Sequence, residues 1–232
     1  MIVSINQPAY LPWLGYFDRI AQSDVHIVLD NVQLERNTKT SFTNRNRVKT
    51  PQGITWLTVP VKKSGPGDSQ INMIEVDGAR WCEKHYRTLT QCYARAPFFE
   101  PHRNWFQDFF AAPPDRLAPL LRISTEYLLA FMGIKTKILY AAEMDVSGSK
   151  SQLVLNLCRA VNATTYLSGP LGRGYLNEAE FKQASIDVVY HDYSHPVYPQ
   201  LHTDFFPFMS VVDLLFNCGD ESLKILNSNS SR

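Results

Sequence analysis

The sequence predicts an α/β protein: a mostly parallel, doubly wound, Rossmann-like sheet carrying an inserted β-hairpin and helices. Two observations lead to this class. Short apolar runs rich in β-branched residues alternate with amphipathic helical patterns at both ends of the chain, and parallel strands require such crossovers. Between them, at about residues 40–133, the alternation gives way to a hairpin signal followed by helical periodicity. The expected organisation is a single domain over residues 1–224 with that insertion, followed by a polar, frayed tail at 225–232.

Taken in order, Ile2, Val3, Ser4 and Ile5 form a short apolar run that stops before Pro8 and Pro12, the pattern of a buried strand and its loop. Leu14, Phe17, Ile20 and Ala21 recur at helical spacing, and Val25 to Leu29 is a second buried strand, so the first thirty residues read as a βαβ unit. Over residues 42–61, β-prone segments flank the turn Thr50, Pro51, Gln52, Gly53, giving a hairpin, and Ser64 to Asp68 reads as a flexible loop. Trp81, His85, Leu89 and Cys92 share one helical face. Leu117, Leu121, Ser124, Leu128 and Phe131 make a longer helix that Gly133 can end. Alternation then resumes: strand at Ile138–Ala141, a helix through Leu153 to Val161 capped by Ser149 or Ser151, and strands at Thr164–Leu167 and Ile186–Tyr190.

Composition excludes several function classes. In 232 residues, 44% are hydrophobic and 19% charged, which is the balance of a folded chain rather than a disordered one. Its 23 Lys and Arg against 22 Asp and Glu leave no global field for nucleic acid or a membrane surface, so any charge argument is local. Cys82, Cys92, Cys158 and Cys218 show no metal-ligand spacing, and no metal is expected. Cys92 and Cys158 fall on apolar helical faces and read as core rather than nucleophiles. With no basic n-region before an apolar stretch at the start and no long apolar window, the expectation is a cytoplasmic protein with reduced thiols and no membrane insertion.

Four segments carry candidate chemistry. Gln7, Tyr10, Trp13 and Tyr16 stand where the first strand hands over to a helix, and in open parallel sheets ligands bind beyond the carboxyl ends of the strands. A Pro-fixed connection with aromatics in the core explains the same spacing equally well. From Arg36 to Gly67 seven cations (Arg36, Lys39, Arg45, Arg47, Lys49, Lys62, Lys63) occur with no Asp or Glu, which would suit a phosphate-bearing ligand or simply keep a hairpin solvated. Ser168, Gly169 and Tyr175 belong to a glycine-containing turn after a strand, without the spacing of a Walker or dinucleotide loop. His191, Asp192, His195, His202 and Asp204 match no metal motif. Among them His195 is the candidate base, since Pro196 restricts its backbone, with Tyr198 as a neighbouring binding residue.

Together these residues resemble a known family. The Gln-Pro-x-Tyr-Leu-Pro-Trp-x-Gly-Tyr-Phe run at 7–17, with Asp30, Val32, Gln33, Arg36 and Asn37, the Asn-Arg-x-x-Val-Lys run at 44–49, Tyr-Leu-Ser-Gly at 166–169, and the closing segments 195–200 and 205–219 are similar to the WbqC-like family. The resemblance covers almost the whole chain. It implies a place in O-antigen and other surface-polysaccharide biosynthesis, as an acyl- or aminoacyltransferase (glycyl-like) acting on a nucleotide-linked amino sugar or a similar phosphate-bearing acceptor. The implied donor is an acyl-CoA or an aminoacyl group, free or on a carrier.

In that reading Arg36, Arg45 and Lys62 neutralise phosphate. Gln7, Tyr10, Trp13, Tyr16, Gln33, Ser168, Gly169, Tyr175 and Tyr198 orient the substrates, and His195 or Asp30 removes the proton from the attacking amine. Acyl transfer from an activated donor needs no protein nucleophile. A remote likeness of the 7–15 turn to the H-x-G-H turn of nucleotidylyltransferases keeps nucleotidyl transfer as an alternative, although both histidines are absent here. A non-catalytic binding protein of the same pathway is another. Switch-point geometry leads us to expect the segments around Gln7, Arg45 and Ser168 at one crevice.

Overall fold

The computed structural model describes residues 1–34, 41–62, 70–202 and 204–228. Strands β1 (Ile2–Asn6), β2 (Val25–Val28), β5 (Lys137–Tyr140), β6 (Thr165–Ser168) and β7 (Asp187–Tyr190) form a five-stranded sheet in the order β5-β2-β1-β6-β7. Every neighbouring pair is parallel, with Val3 opposite Val25 and Tyr166, and Val25 opposite Lys137. The chain leaves β1 to build one half of the sheet and crosses back to build the other, so the switch point lies between β1 and β6. This is the doubly wound class that the sequence predicts.

One face of the sheet is apolar in the ordinary way. Val3, Ile5, Val25 and Ile27 pack on α5 (Lys150–Ala160) and α6 (Glu178–Gln183) through Leu153, Leu157 and Phe181. Alternation along the strands sends Ser4 and His26 to the other face, beneath α1 (Leu14–Ala21). There the Ser23 hydroxyl donates to Ser4 Oγ (2.8 Å), and Ser4 Oγ lies 2.8 Å from His26 Nδ1. A parallel strand buried on both faces is commonly apolar throughout. Here Ser4, Ser23 and the Nδ1 side of His26 form a buried polar chain instead, while His26 Nε2 has no hydrogen-bond partner among the described residues.

The expected hairpin is β3 (Arg45–Thr50) and β4 (Gly53–Thr58), antiparallel, with Thr50 opposite Gly53. It is followed by α2 (Arg80–Tyr93), α3 (Glu100–Ala111) and α4 (Leu117–Met132). Gly133 ends α4 in the left-handed region at φ 70°, where a Cβ would strain the backbone. The chain closes with α7 (Val211–Cys218) and α8 (Ser222–Leu226). Ser210 caps α7 through its hydroxyl, which accepts from the Val212 N–H, whereas Ser149 precedes α5 without a capping bond. Ser151 instead accepts from the Asn177 N–H and ties α5 to the loop before α6.

The hairpin is locked to the body by a buried carboxylate. Asp213 on α7 accepts from the hydroxyls of Tyr93 (2.7 Å) and Tyr198 (2.9 Å), and Tyr93 accepts in turn from the Lys49 N–H of β3 (3.0 Å). Ser210 N donates to Arg47 O, and the Asn46 side chain donates to Leu11 O, so the hairpin is stitched both to α7 and to the loop after β1.

All four cysteines are buried and unbridged. His85, expected either as a satisfied core residue or as a pocket base, is buried with its Nδ1 2.9 Å from the Tyr10 hydroxyl.

Burial holds His26 down to about 3 and both His85 and His102 to about 4, so all three stay neutral in the fold near pH 6. Unfolded histidine takes up a proton near pH 6.5, so the unfolded chain binds more protons below that value and stability falls as pH drops from about 6.5 towards 4. Denaturant titrations at pH 7.5, 6 and 4.5 should show a declining midpoint, shallower in His85→Gln. A midpoint flat across this range would contradict neutral burial.

Candidate functional site

Beyond the carboxyl ends of β1, β2 and β5 lies a cavity of about 310 Å³, at the lower end of the size range of small-molecule sites. Pro8, Val28, Asp30 and Tyr140 come from the strand ends, Tyr16 from α1, and Arg116, Leu121, Arg122 and Thr125 from the start of α4, which roofs it. Asn72 and Glu143 complete the rim. The position follows from topology: each parallel strand delivers its next residues to this edge, and the insertion between β2 and β5 returns α4 across it.

Asp30 is the carboxylate of the cavity. It is buried, and Oδ1 accepts from the Ala142 N–H (2.8 Å). Burial raises its pKa; hydrogen bonds from Ala142 and its own backbone oppose this, Glu143 adds to it and Arg122 subtracts. Arg122 lies over the Tyr140 ring at 4.0 Å and is neutralised by Glu126 (2.9 Å) and Glu143 (2.7 Å). Arg116 is exposed at the mouth; it makes no salt bridge within 4 Å among the described residues, though its charge acts on Glu75 across a backbone bridge, and it can meet an anionic substituent. The cavity therefore combines a proton acceptor, an aromatic wall and a cation.

A second polar cluster stands at the switch point. His191, just after β7, places Nε2 2.6 Å from Asp18 Oδ2, and the Gln22 amide donates to the same oxygen at 2.6 Å. Both side chains of the pair are almost wholly buried, and the His191 N–H donates to Ser168 O at the end of β6. Tyr193 stacks on His191, and its ring lies where a Cβ on Gly15 would fall, 2.7 Å from that position.

The structure separates the expected site residues into groups. Asp30 and Tyr16 line the cavity. Gln7 follows β1 and Ser168 and Gly169 end or follow β6, so these segments reach adjacent strand ends, where Ser168 is buried and Gln7 half-buried. Tyr175 is exposed nearby. Arg45 stays on the hairpin, with Nε donating to Ser41 O and its guanidinium 4.7 Å from the Trp56 centroid. Lys62 pairs with Glu75, Lys49 is buried on the carbonyls of His202 and Asp204, and Arg47 donates to Phe208 O.

Tyr10 and Tyr198 are core residues whose hydroxyls meet His85 and Asp213. Trp13 precedes α1 and packs on Tyr16 and Phe42, and Gln33 is exposed in a bridge to Gln70. His195 is ringed by Tyr193, Tyr198, Phe205 and Phe208, with Nδ1 2.8 Å from Pro196 O, and is not among the cavity residues. Arg36, Lys39, Lys63 and the Ser64–Asp68 loop lie outside the described residues.

Sequence reasoning missed Arg116, Arg122, Asp18 and Arg19. The arginines of α4 carry no local signal, and Asp18 meets His191 only through the tertiary fold.

A doubly wound α/β protein with a ligand-sized cavity outside its strand ends is the class defined by this architecture. Residues 7–225 match the WbqC-like protein family, and the chain belongs to it. It is 36% identical over 222 residues to an uncharacterized protein of Mycobacterium tuberculosis (strain ATCC 25618 / H37Rv), a match that covers 95% of each chain. No solved structure matches. Among the described residues no helix is long and apolar enough to cross a membrane.

The Asp18 pair yields a stability test. Asp18→Ala leaves the Gln22 amide and the buried His191 nitrogen without their acceptor, a loss of about 2–5 kcal/mol. Urea unfolding should report it as a lower midpoint with an unchanged slope, and equal midpoints would show that the pair contributes nothing.

Proposed function

We propose that this protein is an acyl- or aminoacyltransferase acting on the amine of a nucleotide-linked amino sugar or a similar phosphate-bearing acceptor, in surface polysaccharide (O-antigen) biosynthesis. The observation that carries this reading is the cavity at the strand ends, in which Asp30, with its pKa raised by burial, shares the walls with Arg116 and Arg122. Family membership supports the pathway.

In this reading the cavity takes the reacting amine and the acyl carbonyl, while the larger parts of both substrates extend beyond it. The amine nitrogen attacks the carbonyl carbon of the activated donor. A C–N bond forms, the bond to the leaving group breaks, and the proton shed by nitrogen passes to the Asp30 carboxylate. A carboxyl raised above its ordinary range is a better base than an exposed one. Arg116 meets the acceptor phosphate as a charge-assisted donor at the mouth, and Tyr16 and Tyr140 supply apolar wall. His195 stands apart in its aromatic enclosure, so the proton is assigned to Asp30.

Turnover of an amino-sugar nucleotide with acyl-CoA or aminoacyl donors, followed by mass spectrometry, tests the reading. Asp30→Asn should lower kcat by about 10²–10⁴-fold. In the wild type the rate should rise with pH through a value higher than that of an exposed aspartate, because Asp30 acts only when deprotonated. Arg116→Ala should raise KM about tenfold or more, the worth of a charge-assisted hydrogen bond. Pyrophosphate release from a nucleoside triphosphate and Mg²⁺ would instead mark a nucleotidylyltransferase. Binding without turnover of any donor would mark a non-catalytic member of the pathway.

A further inference from the structure

Arg19 is a buried cation with no counter-ion among the described residues. On α1 it is only 5% exposed, its Nε is buried without a hydrogen-bond partner, and it makes no ion pair among the described residues. Its charged form is favoured by Tyr166, Tyr16 and Tyr175, all neutral phenols, while the adjacent Asp18 is turned to His191 and Gln22. The tip of the guanidinium rests against Gly169, the first residue after β6: a Cβ there would fall 2.2 Å from Nη1. The missing side chain is what lets the cation reach the strand end at the switch point. A desolvated guanidinium left unpaired is costly, and natural folds keep such a group where something completes it.

We propose that Arg19 holds a monoanionic carboxylate ligand at the switch point between β1 and β6, in a site distinct from the Asp30 cavity. Bidentate geometry suits the guanidinium fork. Charge balance selects the carboxylate over phosphate: one cation is neutralised by one negative charge, whereas a phosphate dianion would leave net negative charge in a buried place next to Asp18. Burial first, and then the nearby Arg19 charge, hold the His26 pKa down. Tyr16 lines the cavity and also lies near Arg19, so the two sites adjoin across one ring. This site does not depend on the transfer reaction proposed above.

Calorimetry and thermal shift on the full chain, with acetate, glycine and L-lactate as carboxylate probes and inorganic phosphate as the other anion, test the assignment. Wild type should bind at least one carboxylate. Arg19→Met should lose at least about tenfold in that affinity while melting at or above the wild-type temperature in ligand-free buffer, because it removes an unpaired charge rather than a paired one. Arg19→Lys, which keeps the charge without the fork, should also bind more weakly and serves if the methionine variant does not fold. Carboxylate affinity unchanged in both Arg19 variants, binding of phosphate alone, or no binding of any probe would each overturn the proposal.

Discussion

One buried carboxylate holds the insertion to the sheet. Asp213 gathers the hydroxyls of Tyr93 from α2 and Tyr198 from the long C-terminal loop, and Tyr93 in turn receives the backbone of β3. Burial raises the pKa of Asp213, and the two tyrosine hydrogen bonds act against that shift. A carboxylate in such a place is tolerable only when its oxygens are occupied. The hairpin, a two-stranded sheet of its own, thereby acquires a fixed position against α7, and with it the loop from Tyr10 to Pro12 that leads into α1. The mouth of the sheet is shaped by that chain of contacts.

The sheet itself divides labour between its faces. The side under α5 and α6 is packed apolar side chains, and hydrophobic burial stabilises it in the usual way. The side under α1 holds Ser4, Ser23, His26, Asp18 and Arg19, all buried. Polar groups bring directional hydrogen bonds and fix geometry, at the cost of desolvation. They lie beside the switch point, where a ligand-binding protein needs fixed geometry. The hydroxyls and the Asp18–His191 pair are hydrogen-bonded, whereas neutral His26 keeps an unpartnered Nε2 and Arg19 an unpartnered Nε, and of these two only Arg19 carries a charge.

How much of this was legible in the sequence depends on how local the cause was. β1, β2 and the hairpin are written in short runs and in the Thr50–Gly53 turn, and α4 with its Gly133 end is written in a helical period and a left-handed residue. The helix α7 is not, because Val211 to Phe216 are all buried and their one charged residue, Asp213, turns inward to Tyr93 and Tyr198, which only the tertiary fold reveals. Asp30 and Tyr16 could be selected because strand ends are where ligands bind, and both line the cavity. The cation-rich hairpin shows the limit. Lys49 and Lys62 look alike in sequence, yet one is buried on carbonyl oxygens and the other sits in an exposed ion pair, a difference made by residues far along the chain.

The strand order also governs how the chain reaches its native state. The central strand is the first to be synthesised, but Val3 must wait for Tyr166, and Val25 for Lys137, before either finds its outer neighbour. Two of the four strand pairings thus join distant parts of the chain, and such pairings form slowly because loop closure precedes the reward of contact. On the ribosome the βαβ unit emerges with one apolar face bare until α5 arrives. During that interval the nascent chain is vulnerable to self-association, and chaperones have the most to protect.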